Sequence, residues 1–153
     1  MRNLTSNQIS GIVWTNKALT AVGYISYPLL LALLCVFEPV LLPQEIVVPA
    51  SGFIAVTIVR HLVNAPRPYE NGGAPALIDK STKGHSFPSR HTFCMFMIAY
   101  AWLAWQPIVG IILLACAITL ATCRVLLRVH FPRDVIAAAI LATLFAIIGF
   151  WIL

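Results

Sequence analysis

Long uncharged apolar runs alternate with short polar breaks along most of this chain. The run from Leu19 to Phe37 carries no charged residue. About 20 helical residues cover the roughly 30 Å hydrocarbon layer of a bilayer, so this run predicts a first crossing, with Pro28 as the place for a kink. Glu38-Pro39 reads as its end, and no small-x-small cleavage site follows, so it is taken as a mature helix and not a leader. A second run extends from about Gln44 to Asn64. Ala65, Pro66 and Pro68 end it, because a residue before proline is pushed out of the helical region. Three further helices are predicted: Ser89 to Trp105, Pro107 to Arg128, and Pro132 to Leu153. Residues 1–17 are too polar to cross and are expected along the interface. The pattern predicts one all-α domain over residues 1–153, a multi-pass transmembrane bundle of about five spanning helices plus an interfacial N-terminal segment.

One long polar loop interrupts this pattern, from Ala65 to Pro88, with Pro66, Pro68, Gly72, Gly73, Pro75 and Gly84 as its breakers. Loops of this length are often functional. Threading five crossings in order sets this loop, the start of the third helix, the end of the fourth and the start of the fifth on one face. All 10 Lys and Arg residues then fall on that face: Arg2, Lys17, Arg60, Arg67, Lys80, Lys83, Arg90, Arg124, Arg128 and Arg133. The positive-inside rule alone accounts for Arg2, Lys17, Lys80 and Lys83.

Composition sharpens this picture. With 60% hydrophobic and 10% charged residues, the chain does not have the make-up of a water-soluble domain. A net charge of +5 points to an anionic partner. The absence of Lys/Arg runs disfavours nucleic acid, which leaves lipid headgroups or phosphorylated lipids. Cys35, Cys94, Cys116 and Cys123 lack CxxC spacing and read as buried thiols.

Three polar clusters lie at the converging helix ends: Arg60 to Pro68, Pro88-Ser89-Arg90-His91, and Cys123-Arg124 followed by His130 and Asp134. Arginine presents a planar fork of donors matched to phosphate oxygens, so Arg60, Arg67 and Arg124 together suit a tetrahedral anion. Ser89 stands where an N-cap of the third helix belongs, and helix starts of this kind bind phosphate. The four-residue spacing of His130 and Asp134 suits a carboxylate that accepts the ring Nδ1–H and turns Nε2 toward a substrate, which makes a nucleophile. His91, in the first turn of the third helix, suits a general acid for the leaving oxygen. His61 and His85 read as polar interface residues.

These clusters resemble the type 2 phosphatidic acid phosphatase superfamily of integral membrane lipid phosphatases. Its signature has a Lys with Arg-Pro seven residues later, a Pro-Ser-Gly-His, and a Ser-Arg with His six residues after the Arg and Asp four after that. Arg60 with Arg67-Pro68, Pro88 to His91, and Cys123-Arg124 with His130 and Asp134 match in order and spacing. Three positions depart from it. Arg60 stands for lysine, which keeps the charge with another geometry. Arg90 stands for glycine, adding a phosphate contact or bending the loop away. Cys123 stands for serine, exchanging a hydroxyl for a weak thiol donor. The family also has six membrane helices in its usual core, for which the polar N-terminus here stands as a shortened first.

The resemblance implies two-step hydrolysis of a lipid phosphate through a phosphohistidine on His130, with His91 and Asp134 as catalytic partners. Arg60, Arg67, Ser89, Arg90 and Arg124 would hold the phosphate. Few carboxylates are present to hold Mg²⁺, with Asp134 in the cluster and Glu70 and Asp79 in the loop, so the reaction is expected to need neither metal nor cofactor. Phosphatidate, phosphatidylglycerophosphate and polyprenyl diphosphate are the candidate substrates, and membrane lipids the expected surroundings. The resemblance also implies a bacterial cell membrane with the active face outside the cytoplasm, against the basic bias of that face. The competing function is a non-catalytic protein that binds or moves anionic lipids with a degenerate site.

Overall fold

The computed structural model describes residues 5–70, 72–79 and 82–152. Among these the chain forms five α-helices and no strand: α1 (Ser6–Phe37), α2 (Leu42–Val63), α3 (Arg90–Trp105), α4 (Pro107–Leu126) and α5 (Pro132–Ala146). A 3₁₀ turn, Pro39–Leu41, leads into α2, and Ile147–Ile152 continues α5 with π-helical winding. Four helical stretches are long and apolar enough to cross a membrane: Ser6–Phe37, Pro39–Val63, Pro107–Leu126 and Pro132–Ile152. The protein is an integral membrane helical bundle. Its fifth helix, α3, has 16 residues, roughly 24 Å at 1.5 Å per residue, and serves as the buried axis of the bundle.

The N-terminal segment differs from the expectation of a separate interfacial piece ending at residue 17. From Ser6 onward it is one helix with the first crossing, 32 residues long. Thr5 and Gln8 start it with a reciprocal cap, in which Gln8 N–H donates to Thr5 Oγ1 (3.4 Å) and Thr5 N–H donates to Gln8 Oε1 (2.9 Å). No proline lies between that cap and Leu19, so polarity alone does not interrupt the helix. At roughly 48 Å it is longer than the roughly 30 Å hydrocarbon layer. Arg2 and Lys80 lie outside the described residues.

α3 packs against each of the other four helices, most extensively against α4. Its buried positions include Phe93, Met95, Met97, Ala99 and Trp102. α5 offers it a stripe of small residues, Ala138, Ala142 and Ala146, which lets helices approach closely where no water drives them together. Gly110 does the same for α4, since a Cβ there would stand 2.4 Å from the Leu103 backbone. Phe93 meets Phe145 edge to face at 6.2 Å. Large apolar side chains on the outer faces, such as Tyr24, Val47, Ile58, Ile111 and Ile140, are exposed and face lipid in a membrane. Cys35 is among the exposed residues and Cys94 and Cys116 are half-buried. The expectation of four buried thiols therefore holds for Cys123 alone, because an apolar span in lipid has an outside face on which a thiol costs little.

At one end of the bundle the helix termini are tied together by backbone bonds. Ser89 N–H, just ahead of α3, donates to Asp134 O of α5 (3.0 Å). Ser86 N–H donates to Ala65 O (2.9 Å), and Leu77 N–H to Leu127 O after α4 (3.1 Å). Asn64 closes α2 in the left-handed region with φ 40°, its N–H donating to Arg60 O (3.1 Å). The predicted juxtaposition of three helix ends and the long loop is thus the observed one.

Candidate active site

The turn between α4 and α5 sets His130. Arg124 O, on the last turn of α4, accepts from both Val129 N–H (3.2 Å) and His130 N–H (3.3 Å), and Arg128 bends the chain with φ 58°. Asp134, fully buried in the first turn of α5, accepts at Oδ2 from Phe131 N–H (2.9 Å) and from Ser86 Oγ (2.5 Å). That same oxygen faces His130 Nδ1 at 3.5 Å. Ser86 Oγ lies 3.4 Å from Nδ1, so serine, histidine and aspartate form one buried polar knot. With Nδ1 turned to the carboxylate, Nε2 is the nitrogen left for a ligand. Burial pushes the His130 imidazole below its ordinary value; the Asp134 hydrogen bond opposes this, and the charges of Arg67 and Arg124 reinforce it. These influences favour the neutral form of the ring.

Two arginines are fixed by main-chain carbonyls. Arg60 Nη1 donates to Pro88 O and to Ser86 O (3.4 Å). Arg67 donates from Nε to Gly84 O (3.0 Å) and from Nη1 to Val129 O (3.3 Å), the residue beside His130. Among the described residues nothing engages Nη2 of either, so each fork keeps a donor for an anion. The loop is shaped for this. Glu70 Oε1 accepts from Arg67 N–H (3.0 Å) and Gly84 N–H (2.7 Å). Gly84 has φ +64°, and a Cβ there would come within 2.4 Å of Asn64 Oδ1, so no larger residue fits without displacement.

A cavity of about 230 Å³ opens over these groups, with Arg60, Arg67, Arg90, His91 and His130 in its wall. It has three arginines and no carboxylate among its lining residues. Of the residues singled out in the sequence, Asp134 stands behind His130. Ser89 and Arg124 are buried beside the cavity and not in its wall. Ser89 occupies the N-cap position of α3 without a side-chain cap bond; its hydroxyl instead accepts from Thr92 Oγ1 (3.0 Å). Arg124 comes close enough to Arg67 for their charges to repel.

Comparison with known proteins follows this geometry. The sequence profile of the PAP2 superfamily matches residues 45–153. The chain belongs to the PAP2 superfamily. Its structure resembles that of LpxE from Aquifex aeolicus, with TM-score 0.75, 25% identity, 90% of this chain and 84% of the other covered. It also resembles a PAP2-type phosphatidylglycerolphosphate phosphatase from Bacillus subtilis, with TM-score 0.67, 89% and 75% covered. The identity there, 21%, speaks for the fold alone. A bacitracin transport permease protein, BcrC, from Bacillus licheniformis is 36% identical over 67 residues, 44% of this chain. The matched segment spans about a third of that protein's length (33%).

In this PAP2 protein the cavity wall also contains two residues first read as interface polarity, His61 and His85. Their rings meet edge to face at 4.7 Å, and His85 Nδ1 lies 3.0 Å from Arg60 O. Ser86 and Glu70 were likewise not singled out, since a lone serine or glutamate in a polar loop carries no periodic signal. An apolar groove of about 480 Å³ adjoins the site. It runs between α1, α2 and α3 past Tyr24, Phe53 and Ile98, and shares Arg90 and His91 with the polar cavity. A second apolar hollow of about 500 Å³ continues it along Tyr27, Phe53 and Ile54.

Proposed function

We propose that this protein hydrolyses the phosphate ester or diphosphate of a lipid through a phosphohistidine on His130, without a metal ion. The observation that carries the reading is the arrangement of His130: Nδ1 on a buried carboxylate, Nε2 left for a cavity walled by three arginines. In the first step Nε2 forms a bond to phosphorus as the bond from phosphorus to the leaving oxygen breaks. His91 donates a proton to that oxygen, which departs as the lipid alcohol or lipid phosphate. In the second step water gives a proton back to His91 and its oxygen attacks phosphorus, releasing inorganic phosphate and the free imidazole. Asp134, with Ser86 behind it, keeps the proton on Nδ1 and steadies the charge that develops on the ring. Arg60 and Arg67 meet the charge spread over the equatorial oxygens, and Arg90 stands where the cavity joins the apolar groove. Ser89 and Arg124 support the wall from behind.

The lipid chain lies in the groove between α1, α2 and α3, whose continuity with the cavity through Arg90 and His91 supports a substrate with one end polar and one end in the bilayer. The donor set of arginine and histidine supports metal independence, because no carboxylate, the usual protein ligand of Mg²⁺, is among the residues that line the cavity. The bacterial origin of the relatives supports a bacterial cell membrane, and the outer face is the side that the family resemblance implies. Tagging a cysteine introduced at Ala76 with an impermeant reagent in intact cells checks that face: labelling supports it and protection reverses it.

The deciding experiment is phosphate release by purified protein in detergent from a panel of phosphatidate, phosphatidylglycerophosphate and polyprenyl diphosphate, with and without chelator. Release undiminished by chelator supports the reading. Tight binding of the panel with no release instead supports an anionic-lipid binder.

A further inference from the structure

We propose that Arg90 makes the site selective for lipids carrying a second phosphate next to the scissile one, so that a lipid diphosphate is preferred over the monophosphate of the same chain. This rests on the phosphatase reading and names the substrate class within it.

Arg90 occupies the seam of the two cavities, lining both the polar pocket and the apolar groove. Its guanidinium lies over the face of Phe53, 5.6 Å from the ring centroid, a contact that holds the planar group while leaving its edge donors unused. Phe53 itself lines the groove and its continuation. Arg60 and Arg67 are tied by loop carbonyls close to His130, whereas Arg90 stands on the side from which the chain enters. A lipid whose terminal phosphorus sits at His130 and whose chain lies in the groove must carry its leaving group past Arg90.

Charge points the same way. Arg90 and Arg60 are close enough to repel each other, and neither forms an ion pair with a described residue. His61 and His85 line the same wall. A phosphate monoester brings only about 1.5 to 2 negative charges; a diphosphate ester adds another acidic group where Arg90 stands. On that substrate the bond between the terminal phosphorus and the bridging oxygen breaks, and its electron pair stays on the departing lipid monophosphate. Arg90 donates hydrogen bonds to that leaving phosphate as its charge grows. The glycine of the family signature at this position has no side chain to do so.

The test compares kcat/KM for a matched pair, one polyprenyl chain as diphosphate and as monophosphate, in the same detergent, for the parent, Arg90→Gly, Arg90→Lys and Phe53→Leu. The parent should prefer the diphosphate. Arg90→Gly should lower the ratio of the two values by about tenfold or more, the scale of a charge-assisted bond. Arg90→Lys should fall between, and Phe53→Leu should lower the ratio by removing the guanidinium's seat. Taking a ratio within each variant cancels any loss of folded protein. A parent that prefers the monophosphate, or variants that lower both values alike, overturns the role of Arg90 and leaves the phosphatase reading standing. A parent that releases phosphate from neither overturns both.

Discussion

Ser86 donates its hydroxyl to Asp134 Oδ2 at 2.5 Å, joining the loop before α3 to the first turn of α5 beneath His130. Oδ2 thus has two hydrogen-bond donors besides the imidazole, Ser86 and the Phe131 N–H, while Oδ1 lies 3.6 Å from the exposed Arg133 Nε. Ser86→Ala should lower kcat by about tenfold with KM little changed, since the phosphate contacts remain. It should also cost about 1–2 kcal/mol of stability for the buried bond lost. Steady-state kinetics and thermal unfolding in one detergent check this; a loss confined to KM would remove Ser86 from the positioning of the nucleophile.

The depressed basicity of His130 sets a pH dependence. Its neutral form persists below the usual histidine range near 6.5, so the acid limb of kcat/KM should lie below that range. The same shift makes the unfolded chain bind the proton first, so this group's contribution to stability is present above the ordinary value and lost as pH falls from there through the depressed folded value. Asp134 holds the His130 value up, so Asp134→Asn should move the limb further toward acid while lowering kcat by about 10²- to 10⁴-fold. The shift between variant and parent is the readout, because ionisation of the substrate is common to both. A limb that stays in place or moves toward base would mean that another group governs it.

His91 lines the cavity at the start of α3, on the side where the apolar groove joins it. If it protonates the leaving oxygen, His91→Ala should lose about 10²-fold or more on a lipid alkyl monophosphate. On an activated ester such as a nitrophenyl phosphate the loss should be several-fold only, since that leaving group needs no proton. Equal losses on the two esters would assign His91 to phosphate binding.

Much of this arrangement was legible before any coordinates. Arg60, Arg67, His91, His130 and Asp134 announce themselves because charged side chains at the ends of apolar spans are costly unless they have a use. Helix ends were found to within two residues wherever proline marked them, as at Pro107 and Pro132. The start of α1 was not, because the polar residues from Ser6 to Lys17 break no helix rule and only hydropathy argued for a boundary. Ser86, Glu70 and the His61–His85 pair were missed for a different reason. Their roles depend on where a loop of more than twenty residues folds back, and that path is set by Gly84, Asn64 and the carbonyls that receive Arg60 and Arg67. Spacing gives the helix face but not the depth, so the burial of Ser89 and Arg124 was not legible in it.

The proposed mechanism turns on a bond between phosphorus and His130. Rapid quench of purified protein with terminally labelled lipid phosphate, followed by alkaline handling that preserves phosphohistidine, tests it most directly when parent, His91→Ala and His130→Ala are run together. A labelled adduct is expected in the parent and, with the diphosphate, in His91→Ala, whose leaving lipid phosphate depends less on protonation. None is expected in His130→Ala, together with loss of turnover. An adduct that persists in His130→Ala, or normal turnover by that variant, would contradict it.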